Sequence, residues 1–280
     1  MTMSAVAGLL DALDLEEAAE NLFIGHANTD SDHRVFGGLI VAQSLIAAGR
    51  TIGPTRRPHS LHATFLHGGD PTRSMNYHVE HLRESRAFST RRTLVEQGDD
   101  VIFTMTSSFQ DPEDGIDHQT PMPASRPPDE LPNWRNRLSS RARYGTIAAV
   151  EWSALDLRCD DDDVSDDNPT LQVWLRTTDR LPDDPMLHAA VLAYASDLTM
   201  LAAVPLPDGD GPEPLGFVIA TLDHSMWFLH DLRVDEWLLH DQLSPAAAGG
   251  RGLAWGRVYR SDGLLVAATA QEGLLRPRRS

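Results

Sequence analysis

Apolar and polar positions divide the chain into two similar series of elements. Residues 38–52, GLIVAQSLIAAGRTI, are apolar nearly all round, which predicts a helix buried on every side. Strand patterns follow it. Val101, Phe103, Met105, Ser107 and Phe109 alternate with Ile102, Thr104, Thr106, Ser108 and Gln110, the period of two of a pleated strand. Residues 88–96 are rich in β-branched and long side chains, and Gln97-Gly98-Asp99-Asp100 supplies the turn that makes the pair a hairpin. The six prolines of residues 111–132 allow neither regular structure to continue, so an inter-domain linker is expected there.

The second half repeats the order of the first. Residues 188–201, HAAVLAYASDLTML, predict another buried helix; strand patterns follow, and Ser261-Asp262-Gly263 is a turn between the last two. Setting Phe65-Leu66-His67 on Phe228-Leu229-His230 gives an offset of 163 residues, and setting Ser108 on Gln271 gives the same, which suggests a duplicated unit. A helix apolar on all sides needs neighbours on all sides, and a curled antiparallel sheet would supply them. Two such sheets joined edge to edge would hide strands that otherwise invite aggregation. The expected fold is therefore α+β: two tandem antiparallel sheets, each wrapped around a long central helix. The expected units are residues 1–111 and 145–280, with a Pro-rich linker over 112–144; a length of 280 residues suits two units at roughly 150 residues each.

Composition narrows the function. With 41% hydrophobic and 23% charged residues the chain reads as globular. No run approaches the roughly 20 apolar residues of a membrane span. Residues 1–13 lack a basic region, and their apolar run is broken by Asp11, so no secretion signal is read and a cytoplasmic location is expected. The single cysteine, Cys159, excludes disulfide frameworks, CxxC pairs and cysteine-rich zinc sites. All 24 basic residues are arginine, which removes a P-loop lysine and a Schiff-base lysine together. The net charge of −17 opposes binding to a phosphate polymer, so no nucleic-acid partner is expected. Arginines gathered locally would still suit a small anion. The acidic run at 160–163, with Asp166 and Asp167, reads as a solvated loop, because it lacks the spacing of a calcium-binding loop.

Candidate chemistry is sparse. No GxSxG elbow is present. His59 and His62, like His78 and His81, are three apart in strand-like segments and point to opposite faces. His230-Asp231 and His240-Asp241 also fall in strand-like sequence, so no metal and no cofactor is expected. Asp197 interrupts an apolar helix in AYASDLTML, where an unpaired buried carboxylate costs on the order of several kcal/mol. It either caps a new turn or faces solvent, or else it holds a polar reactant, water foremost. Thr221 opens the strand-like ATLDHSMWFLH, where threonine is ordinary. Gln271 ends LLVAATAQEG, and its amide needs partners if buried. Asp223, on the same face as Thr221 by alternation, is a rival carboxylate.

These segments carry a family signature. Phe36-Gly37-Gly38 with Ala42-Gln43, His59-Ser60-Leu61-His62 with Phe65-Leu66, Tyr194-Ala195-Ser196-Asp197, Ala220-Thr221-Leu222-Asp223-His224-Ser225-Met226-Trp227 and Gln271-Glu272-Gly273 resemble the acyl-CoA thioesterase II family, in order, from about Asn21 to Arg276. The resemblance implies a double hotdog fold. It further implies hydrolysis of fatty acyl-CoA by a water held by Asp197, Thr221 and Gln271, with no acyl-enzyme, and assembly into a homo-oligomer. A departure lies at Leu66-His67-Gly68-Gly69-Asp70, where the family often has an arginine and a proline before the glycine. Backbone N–H groups near Gly37 and Gly38 are candidates for the oxyanion, and Arg56, Arg57, Arg83, Arg86, Arg91, Arg92, Arg276, Arg278 and Arg279 for the coenzyme A phosphates. Two other readings remain: a hotdog enoyl-CoA hydratase using His224 beside Asp223, and a non-catalytic acyl-thioester-binding protein.

Overall fold

The computed structural model describes residues 4–27, 34–134, 152–159, 169–205 and 217–277. Helix α1 (Ala5–Leu13) starts at Ser4, whose hydroxyl accepts the N–H of Ala7. Strands β1 (Glu16–Ala19) and β2 (Leu22–Gly25) lead to helix α2 (Gly37–Gly49). Every residue of α2 from Gly38 to Ala48 is buried, as an all-round apolar helix requires. Four long strands follow: β3 (Arg57–Phe65), β4 (Met75–Glu84), β5 (Phe88–Gln97) and β6 (Asp100–Gln110). Gly98, with φ +65°, makes the β5–β6 turn, a conformation that costs glycine little.

The second series runs β7 (Leu155–Cys159), β8 (Thr170–Thr177), helix α3 (Pro185–Ser196), a 3-10 turn (Met200–Ala203), then β9 (Phe217–Phe228), β10 (Leu238–Ala248), β11 (Arg251–Arg260) and β12 (Leu265–Pro277). Two local signals start α3 three residues earlier than the apolar pattern does. Asp184 accepts the N–H groups of Met186 and Leu187, and Pro185 occupies the first turn. The helix also ends earlier than expected, so Asp197 follows its last residue and does not interrupt it.

The two expected sheets are one. Among the described residues, twelve antiparallel strands run in the order β1-β2-β4-β5-β6-β3-β9-β12-β11-β10-β8-β7. The seam is the β3–β9 pair, from Ser60 opposite Trp227 to Thr64 opposite Asp223. Each of these strands would otherwise expose a row of unpaired backbone groups, and pairing satisfies both edges at once. His62 and Ser225, 163 residues apart, face each other across the seam with Nδ1 and Oγ at 3.1 Å. The same 163-residue offset separates the ends of β3 and β9, the starts of β4 and β10, and both ends of β5 and β11.

Helices α2 and α3, with the buried face of α1, belong to one apolar core; α2 and α3 are its central pair. They meet where Gly38 passes Tyr194. A Cβ on Gly38 would collide with the Tyr194 carbonyl and the Phe36 ring, and that ring packs edge-on against Tyr194 at 5.1 Å. Gln43, fully buried on α2, ties three elements together: its amide donates to the carbonyls of Ala12 (2.6 Å) and His26 (3.1 Å) and accepts from the Tyr77 hydroxyl.

Residues 111–134 carry only a 3-10 turn (Pro128–Glu130) and a bridge from Asn133 to Arg158. They lie along the second half. The Trp174 indole donates to the Arg126 carbonyl (2.9 Å), Gln119 bonds Gly263 and Leu265, and Leu131 packs with Trp174, Leu239, Tyr259 and Leu265. Residues 135–144 of the expected linker and the acidic run at 160–167 lie outside the described residues.

Candidate active site

Asp197 sits at the C-terminal end of α3, where the helix dipole opposes a carboxylate. Two side chains offset this. Thr221 donates its hydroxyl to Asp197 Oδ1 at 3.0 Å, and Gln271 donates from Nε2 to the same oxygen at 2.9 Å. Gln271 Nε2 also donates to Thr221 Oγ1 at 3.0 Å, which closes a triangle of three side chains from the residue capping α3, from β9 and from β12. Oδ2 turns towards the first half: a Cβ placed on Gly37 would lie 2.8 Å from it and 3.0 Å from the Phe65 ring. Gly37 is the first residue of α2, where N–H groups are unpaired within the helix and the dipole favours negative charge. Among the described residues no side chain caps that end; the Phe36 carbonyl takes the N–H groups of Leu39 and Ile40. The carboxylate thus stands between the end of one core helix and the start of the other.

The triangle depends on a defect in the ladder. Between β9 and β12, Asp223 pairs with Glu272 but Thr221 pairs with Gly273, so Leu222 is an extra residue on β9. Strict alternation would put Thr221 on the face of Asp223. The bulge instead turns Thr221 to the face of His224 and Gln271, three residues away where an odd spacing should have separated them. The expectation that Thr221 and Asp223 share a face is corrected accordingly. Asp223 Oδ1 accepts the N–H of Glu272 at 3.0 Å, beside the register shift, and so serves the ladder.

His224, given a role only in the hydratase reading, is part of the cluster. Its side chain is fully buried, with Nδ1 2.7 Å from Gln271 Oε1 and Nε2 2.9 Å from Ser196 Oγ. Burial holds it below the ordinary imidazole range, although Asp197, Gln271 and Asp223 pull the other way. With both ring nitrogens engaged, it has none to offer an enoyl thioester. Ser196 and His224 fall within the signature segments, but periodicity alone does not bring His224 to the face of Thr221; the bulge that does so is visible only in three dimensions.

Other candidates are placed elsewhere. His240 lies on β10 and His230 follows the end of β9, so the two His-Asp pairs do not share strand positions as expected. His240 is buried, with Nε2 3.0 Å from Thr269 Oγ1, and burial pushes it down to about 3. Among the described residues no group of three or more His, Cys, Asp or Glu side chains is arranged to hold a metal, and no helix is long and apolar enough to cross a membrane. Several arginines proposed for phosphate are committed within the first half. Arg91, 2% exposed, bonds Thr51 and Glu84; Arg56 joins Glu84, Ser89 and Asp111; Arg92 pairs with Glu80. Arg278 and Arg279 lie outside the described residues. The divergent loop at 66–70 flanks the start of α2, since Gly69 accepts the N–H of Val35 at 2.9 Å.

Comparison with known proteins bears on the family and the fold. Residues 165–274 match the family model described as acyl-CoA thioesterase, and residues 26–110 match that of the acyl-CoA thioesterase N-terminal domain. Acyl-CoA thioesterase 2 of Haemophilus influenzae is 34% identical, with 96% of each chain covered. Acyl-coenzyme A thioesterase 8 of Rattus norvegicus is also 34% identical, over 95% of this chain and 88% of its own. Among solved structures, acyl-CoA thioesterase II TesB2 of Mycobacterium marinum superposes with a TM-score of 0.82 at 40% identity, covering 96% of this chain and 98% of its own. An Alicyclobacillus acidocaldarius protein described as having a hot dog fold superposes at 0.78 with 21% identity, covering 99% of each chain, which bears on the fold alone. Shared sequence over both halves and a shared fold place the chain in the acyl-CoA thioesterase family.

Proposed function

We propose that this thioesterase hydrolyses fatty acyl-CoA to the free acid and coenzyme A, using a water held by Asp197, Thr221 and Gln271. The observation that carries the reading is the convergence of two side chains, Thr221 and Gln271, on one oxygen of the Asp197 carboxylate. With Oδ1 bonded to Thr221 and Gln271, Oδ2 is the oxygen that takes the proton. Water adds to the thioester carbonyl as its proton passes to Oδ2; the tetrahedral oxyanion is met by N–H groups at the start of α2, around Gly37 and Gly38. Collapse breaks the carbon–sulfur bond, and the Asp197 carboxyl returns its proton to the departing thiolate. A general base contributes about 10²- to 10⁴-fold, and fixing its direction preserves the gain from proximity.

The chain is read as two hotdog units, residues 1–111 and 145–280, joined by residues 112–144, each wrapping its part of the sheet around its helix. Assembly as a homo-oligomer and a cytoplasmic location complete the proposal. Release of free thiol from a medium-chain acyl-CoA, followed with a thiol reagent, tests the activity, because neither hydration of an enoyl thioester nor simple binding frees the thiol.

A further inference from the structure

We infer that His224 is a positioning residue whose ring, held by Ser196, dictates which way the Gln271 amide faces and so keeps its nitrogen on Asp197. The inference rests on the proposed role of Asp197 and Gln271. Hydrogen-bond polarity gives each group a single part. A carboxylate accepts only, so the Gln271 atom 2.9 Å from Asp197 must be the amide nitrogen, and its oxygen is then the atom 2.7 Å from His224 Nδ1. That oxygen also accepts only, so Nδ1 carries the ring proton. In the neutral ring that burial favours, Nε2 is an acceptor, so the Ser196 hydroxyl turns its one proton to Nε2 at 2.9 Å and not to its other acceptor, the Ala193 carbonyl at 3.0 Å.

The chain of bonds therefore has one direction, from Ser196 through His224 and Gln271 to Asp197. It begins and ends on adjacent residues at the end of α3, which makes it a closed ring braced by the core helix. A glutamine amide is nearly symmetric in shape, so packing alone does not choose its orientation. A flipped Gln271 would set its oxygen against Asp197 Oδ1 and lose the bond to Thr221 as well. His224 prevents that flip at a distance, without reaching the carboxylate itself.

The test compares three substitutions in the full-length protein: His224→Asn, whose amide can still donate from the Nδ1 position; His224→Asp, which at that position only accepts; and His224→Leu, which does neither. His224→Leu and His224→Asp are expected to lower kcat by at least about 30-fold with KM within about threefold, because orientation affects the reacting groups and not substrate uptake. His224→Asn should recover at least about tenfold of the loss at equal Tm. If His224→Asn is no better than His224→Leu, or His224→Leu keeps the wild-type kcat, the positioning role is overturned. Nitrogen-15 NMR of the wild-type imidazoles, with the His224 ring assigned through its own side-chain and backbone resonances, should show a proton on Nδ1 and none on Nε2. The opposite tautomer contradicts the inference even if no substitution folds. Asp197→Asn and Gln271→Ala measured alongside separate the two levels: if both keep full activity the site itself is wrong, whereas if both are inactive and His224→Leu is active, only the relay fails.

Discussion

Gly37 and Asp197 belong to different halves of the chain, yet a Cβ on Gly37 would stand 2.8 Å from Asp197 Oδ2. The carboxylate that ends one core helix is thus pressed against the start of the other. Gly37→Ala should displace either the carboxylate or the Phe65 ring, which lies 3.0 Å from the same point. A loss of at least about tenfold in kcat is expected, with a modest fall in Tm, since a misplacement near 1 Å can cost about 100-fold. Steady-state kinetics beside a thermal melt check this.

Thr221 supplies one of the two donors on Oδ1 and accepts from Gln271. Thr221→Val keeps the shape and removes both bonds. The expected outcome is a drop in kcat of about 10- to 100-fold, while stability changes by about 1 kcal/mol, the ordinary net worth of a hydrogen bond. Denaturant melts and thiol-release kinetics on the same preparation separate the two effects.

How much of this was legible in the sequence differs from residue to residue. Helix α2 was legible, because a run apolar all round has only one home. So was the duplication, since the 163-residue offset recurs in the strand boundaries. That the two sheets join edge to edge was anticipated, but which edges meet was not, because no pattern in the sequence selects the pairing of Ser60 with Trp227. Asp197, Thr221 and Gln271 were singled out, but the bulge at Leu222 was not. A period of two extrapolated through that residue put Thr221 with Asp223. His224 and Ser196 were missed as members of the site for the same reason: their meaning lies in the polarity of bonds that only the folded geometry creates.

Gln43 is buried polar chemistry of another kind. It joins α2 to the carbonyls of Ala12 and His26 and to the Tyr77 hydroxyl, all away from Asp197. Gln43→Leu should cost about 3 kcal/mol by leaving buried groups unpaired. Activity per folded molecule should stay within about twofold. Chemical denaturation and a turnover assay below the melting range give both numbers.

Acid should weaken the fold through its buried imidazoles. His240 is held down at about 3 against an ordinary 6.5, and burial also lowers His188 and His224. Between those limits the unfolded chain binds more protons than the folded one, so stability rises with pH through that window and falls on acidification from 6.5 towards 3. Each such group contributes up to about 1.4 kcal/mol per pH unit. Tm measured from pH 7 to pH 4 should decline, and His240→Leu should make the decline shallower.

The proposed chemistry turns on activation of water by the Asp197 carboxylate. Thiol release from a medium-chain acyl-CoA by wild type and by Asp197→Asn, at matched Tm, tests it most directly. Release by the wild type and a kcat at least about 100-fold lower in the variant are expected; an Asp197→Asn protein that turns over at the wild-type rate would rule out Asp197 as the base.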